Sequence, residues 1–121
     1  MAITNQALGF ASGTNVWSDT DIAGTVVVVK ASSAVVHLIT IDNTGNGAAT
    51  YVKLFNTAGA VTLGTTVPDE VIYVPASVSI TLVYPGGKTF GTGLEIAATT
   101  AGGTAGSTGP TSDVTARIVY V

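Results

Sequence analysis

One histidine, seven carboxylates and no cysteine make up most of the reactive inventory of this chain. His37 is the only residue that could act as the base of a Ser-His-Asp arrangement. It stands in strand register with Val35, Ile39 and Ile41, which reads as a half-buried imidazole bonded to backbone. The absence of Cys removes disulfides, Cys-based zinc sites and thiol nucleophiles together. The carboxylates Asp19, Asp21, Asp42, Asp69, Glu70, Glu95 and Asp113 are scattered. A glycosidase needs two of them facing each other across a cleft, and no pair can be named from spacing. Asp19 and Asp21 could contribute to a weak metal site, or cap a turn.

Three fragments imitate known motifs, and each fails on a requirement that can be counted. Asp42-Asn43-Thr44-Gly45-Asn46-Gly47 has the oxygen ligands and glycine of the first half of an EF-hand loop. The place of the bidentate carboxylate is taken by Lys53, which would repel calcium. Gly87-Lys88-Thr89 has the tail of a P-loop, but Leu82 stands where the first glycine belongs and no helix follows. Lys88 therefore reads as a solvated turn residue. The run 103–109, Gly-Thr-Ala-Gly-Ser-Thr-Gly, lacks the strand-turn-helix setting of a nucleophile elbow or dinucleotide fingerprint. No catalytic, cofactor-binding or metal-ligating residue is assigned, and enzymatic function is disfavoured. Trp17, Tyr51, Tyr73, Tyr84, Phe90 and Tyr120 could stack on a sugar, but their places within apolar runs suit core packing better.

Charge points the same way. Charged residues are 9% of the chain and the formal net charge is −3, so no basic field exists to hold a nucleic acid. A free soluble surface is expected to be about a quarter charged or more. Part of this surface is therefore expected to lie against another protein. No apolar run is long enough to span a membrane, and MAITNQALGF lacks the basic and apolar regions of a Sec signal.

The elements that must position these residues are strands. Apolar residues recur with a period of two, as in Val78, Ile80, Leu82 and Tyr84 or in Val114, Ala116, Ile118 and Tyr120. The pattern predicts strands over 25–30, 34–42, 50–56, 70–74, 77–84, 94–99 and 114–121, with a short one near 16–18. Turns are expected at 43–47, 57–59, Pro75-Ala76 and Pro85-Gly86-Gly87. The stretch 101–112, with four Gly and one Pro, reads as a long mobile loop and the best candidate for an exposed contact. Residues 1–24 are polar and Gly-rich, and read either as an arm on a neighbouring subunit or as a segment folded back on its own domain. The expected architecture is an N-terminal arm, 1–24, and an all-β antiparallel sandwich, 25–121, jelly-roll-like, with seven or eight strands.

Several strings carry a resemblance. Tyr51-Val52-Lys53-Leu54-Phe55-Asn56, then Val61 through Leu63-Gly64-Thr65 to Pro68, Val74-Pro75-Ala76, and Phe90-Gly91-Thr92-Gly93-Leu94 with Ile96-Ala97-Ala98-Thr99-Thr100 are similar to a group of small virion proteins of tailed phages. The likeness covers about residues 34–121 and brings no catalytic residue or cofactor. It implies a capsid decoration (cement) protein on the virion surface, made in the host cytoplasm. It also implies the major capsid protein as partner and a homotrimer as assembly. The alternative is a carbohydrate-binding or tail- and fibre-associated adsorption module.

Overall fold

The computed structural model describes residues 13–121. Alternating β-branched and aromatic residues form eight strands there: β1 (Asn15–Asp19), β2 (Val27–Lys30), β3 (Ala34–Asp42), β4 (Thr50–Phe55), β5 (Glu70–Val74), β6 (Ser79–Phe90), β7 (Leu94–Thr99) and β8 (Thr115–Tyr120). They make two four-stranded antiparallel sheets stacked as a β-sandwich. The orders are β1-β8-β3-β6 in the first sheet and β2-β7-β4-β5 in the second. The pairing is nested: β4 with β5, β3 with β6, β2 with β7 and β1 with β8. The chain is thus a long hairpin, closed at β4–β5 and rolled over on itself, with further pairing of β3 with β8 and β4 with β7.

Register decides which residues meet in the core. In the first sheet Trp17, Ile118, Ile39 and Leu82 lie side by side across the four strands and face inward. In the second sheet Val52, Ile72 and Ala98 are neighbours, as are Leu54 and Ile96, and all are buried. Each wholly buried aliphatic contributes about 1.5–3 kcal/mol. That is how a chain with few charges and no cross-links holds two layers together.

The described part of the expected arm, residues 13–24, folds back on its own sandwich. β1 is an edge strand of the first sheet, Ile22 is wholly buried and its N–H donates to the Val114 carbonyl. The Ala98 N–H donates to the Ala23 carbonyl, and Gly24 lies so close to Gly109 that a Cβ on it would stand 2.8 Å from the Gly109 nitrogen. Phe10 and the rest of 1–12 fall outside the described residues.

One expected turn is a correction. Pro85-Gly86-Gly87 does not end a strand, because β6 continues to Phe90. Between the pairs Leu38–Val83 and Val36–Lys88, four residues of β6 oppose His37 alone, which makes a wide bulge. Gly86 and Gly87 take φ of 77° and 85° there, in the region that favours glycine. A Cβ on Gly87 would strike the Val35 side chain. The bulge also shifts the alternation of β3, so that Ala34 and Val36 are buried before it and Ile39 and Ile41 after it. His37 therefore does not share a face with Ile39 and Ile41; it sits half-buried at the bulge.

Candidate interaction face

The two outer faces of the sandwich differ. On the second sheet the outward residues of the middle strands are Tyr51, Lys53 and Phe55 on β4 and Glu95, Ala97 and Thr99 on β7; Tyr51 is half-buried and the other five are buried. Two loops cover them. Lys53 Nζ donates to the carbonyls of Gly103 and Gly106, both at 2.7 Å. Thr99 Oγ1 donates to the Ala101 carbonyl, and Gly102 lies against the Tyr51 ring. From the other side, the backbone of Gly59 hydrogen-bonds the Glu95 carboxylate. The loops approach each other where Gly64 nears Ala105 and Ser107. The stretch 101–112 is thus fastened over its own sheet instead of hanging free, while Ala101, Gly103, Ala105, Ser107, Thr108, Thr111 and Ser112 remain exposed as expected. Its backbone carbonyls are what a buried lysine needs.

These buried charges shape their own chemistry. Desolvation holds the Lys53 amine below its usual range. Burial raises the Glu95 carboxyl, partly opposed by the bond from Gly59, and Glu95 Oε2 has no hydrogen-bond partner. At the open edge between the sheets, Tyr84 of β6 donates its hydroxyl to Glu70 Oε1 of β5 at 2.8 Å. Burial, that bond and the Glu70 charge push the phenol pKa up. Lys88 lies 3.7 Å from Glu70 Oε2, so it is a strand residue in an ion pair and not the solvated turn residue expected.

The motif fragments have structural roles. Asn43 is wholly buried; its amide donates to the carbonyls of Ala48, Val74 and Pro75, and its Oδ1 accepts from Asn46 and Thr50. Asn46 exchanges two hydrogen bonds with the Ser112 backbone, which ties the 43–47 turn to the end of the covering loop. Asp42 accepts from the Thr44 N–H and hydroxyl, and those bonds lower its pKa. Asp19 accepts from the Asp21 N–H, the turn-capping alternative for that pair. Among the described residues no group of three His, Cys, Asp or Glu side chains could hold a metal ion. A shallow cleft of about 80 Å³ beside this turn is lined by Asn46, Thr50, Thr100, Pro110 and Ser112, without an aromatic ring.

Among the described residues, the outer face of the first sheet is left open. Val16 pairs with Val119, Val119 with Leu38 and Leu38 with Val83, so four apolar side chains form one row across all four strands. Val16 and Val83, at its two ends, are 62% and 64% exposed. The next outward row is Ser18, Arg117, Thr40 and Thr81, and the one after it includes Thr115, Asp42 and Ser79. No family model, curated protein or solved structure matches the chain. The assignment of a site therefore rests on these surfaces.

The aromatics divide along the same lines. Phe90 is buried, and Trp17, Tyr84 and Tyr120 pack against the core. Tyr73, 55% exposed, pairs with Tyr51 at 5.3 Å on the second sheet. Sequence reasoning missed both the apolar row and the buried charges. The row exists only once register is known, since its members stand in four separate strands.

Proposed function

We propose that this chain is a structural component of a tailed-phage particle, a capsid decoration protein that binds the outer shell and bridges neighbouring capsid subunits. The observation that carries this reading is the open face of the first sheet, an apolar row across four strands beside rows of hydroxyls with Arg117 and Asp42 as their charges. A protein that covers apolar surface on a partner needs no active site, and its binding energy comes from buried area and shape. The nested strand pairing, first with last through fourth with fifth, supports a jelly-roll reading of the sandwich, an architecture common among viral capsid and lectin domains. It supports the reading at the level of fold analogy only.

The experiment is co-sedimentation of the purified protein with capsids that lack it, followed by heating of the particles. Saturable binding that raises the rupture temperature is the expected result; absence of binding sinks the reading. A second reading, glycan adsorption, is favoured by one feature, the Tyr51–Tyr73 pair on the second sheet. Its test is a glycan-binding screen in which Tyr73→Ala abolishes any signal.

A further inference from the structure

Of the asparagines in the chain, Asn46 alone is followed by glycine. Such a pair can modify itself. The glycine nitrogen attacks the asparagine Cγ and closes a cyclic imide, while the side-chain nitrogen takes up the glycine N–H proton and leaves as ammonia. Water then adds to either imide carbonyl and breaks its bond to nitrogen, which leaves aspartate or isoaspartate. Asn15, Asn43 and Asn56 precede Val or Thr, whose branched Cβ crowds the attacking nitrogen.

In the fold the Asn46 carboxamide is pinned. Its nitrogen donates to Asn43 Oδ1 and to the Ser112 carbonyl, both at 3.0 Å, and its Oδ1 accepts from the Ser112 N–H at 2.8 Å. The main chain is held as well: the Asn46 N–H donates to the Asn43 carbonyl, and its carbonyl accepts from the Ser77 N–H and hydroxyl. Ser77 takes a left-handed φ of 58° in making those bonds. Asn46 is 5% exposed, so its Cγ cannot turn toward the Gly47 nitrogen without breaking hydrogen bonds out of water. Gly47 itself is exposed, a Cβ on it would meet nothing within 4 Å, and it lines the cleft that admits water beside the turn.

We propose that Asn46-Gly47 is a self-modification site that the covering loop holds in check. When the 110–112 end of that loop lifts, Asn46 is released, cyclises and is hydrolysed. The change runs one way. A carboxylate at this position has no N–H to give, so its oxygens face Asn43 Oδ1 and the Ser112 carbonyl, acceptor against acceptor, and its charge is buried unpaired. The loop end then cannot refasten, and the rate of the change follows how often the loop opens. This inference does not rest on the virion reading.

Peptide mapping by mass spectrometry tests it, on the full chain aged in mildly alkaline buffer with and without denaturing guanidinium chloride. Acid and isoaspartate at position 46 should accumulate about tenfold or more slowly in the folded chain than in the unfolded one. Ser112→Pro deletes the N–H that Asn46 Oδ1 accepts, and should speed the reaction severalfold in the folded chain while leaving the unfolded rate unchanged. Gly47→Ala, which the open space there admits, should slow the reaction in the unfolded chain; an unchanged rate overturns the cyclisation route. Equal rates in folded and unfolded parent overturn the clamp, whether or not Ser112→Pro folds. Asn46→Asp supplies the product without ageing, and its 101–112 amides should exchange with solvent faster than the parent's. Exchange no faster than the parent's, or loss of the whole fold in that variant, overturns the selective release of the loop.

Discussion

Asn43 does more for the fold than any other polar side chain described. Its amide and carbonyl join the start of the 43–47 turn to the end of that turn and to the exit of β5, from a side chain that is itself wholly buried. Replacing it with Ala strands several buried groups at once. A loss of about 3 kcal/mol in urea denaturation is expected, at the upper end for single substitutions. Glu95 works in the opposite sense. Its carboxyl pKa is raised in the folded state, so the folded chain keeps a proton that the unfolded chain releases. Its contribution is fully present below the unfolded carboxyl pKa and is lost as pH rises through the folded one. Glu95→Gln should therefore gain stability relative to the parent between mildly acidic and neutral pH, measured by denaturation at several pH values. An unchanged difference across that range would show that Glu95 does not titrate in this way. Neither residue announces itself in sequence. Asn43 reads as a turn residue and Glu95 as one of seven scattered carboxylates, because what buries them lies elsewhere along the chain.

At the scale of elements, much was legible. The strands Ala34–Asp42, Glu70–Val74 and Leu94–Thr99 fall where hydrophobic patterning and flanking turn residues put them. Hydrophobic patterning ends β6 at Tyr84 because Pro85-Gly86-Gly87 is a turn by local chemistry, and only pairing with β3 makes it a bulge. The glycines of the covering loop signal backbone freedom, while the Lys53 amine that fastens it at Gly103 and Gly106 sits 50 and 53 residues earlier. Lys53→Met tests that fastening. Losing two charged hydrogen bonds is offset by no longer burying a cation, so global stability should shift by about 1 kcal/mol or less. The amides of 101–112 should nevertheless exchange with solvent markedly faster than in the parent. Unchanged exchange there would mean that the loop is held by other contacts.

For the molecule as a whole, the low charge anticipated from composition is distributed unevenly. The chain's own loops cover the middle strands of one broad face, while Val28, Val71 and Tyr73 on its edge strands stay exposed, as does the apolar row of the other face. Composition leads to the expectation of a protein partner, and says nothing of the cover that the chain's own loops provide. The winding has a further consequence, for the order in which the molecule can be made. β8 is the last strand in sequence, yet it occupies an interior place in the first sheet, between β1 and β3. Until it is available, β1 has no neighbour, and the sheet is only the β3–β6 pair. A nascent chain emerging from the ribosome thus holds an unclosed sheet until synthesis has passed Tyr120 and the strand has cleared the exit tunnel. Folding is expected to be all-or-none and slow, on the order of milliseconds to seconds, by stopped-flow fluorescence of Trp17, which lies beside β8. A chain stopped before Thr115 should show no cooperative transition, and until β8 arrives the exposed flanks of β1 and β3 are the surfaces a chaperone would have to shield.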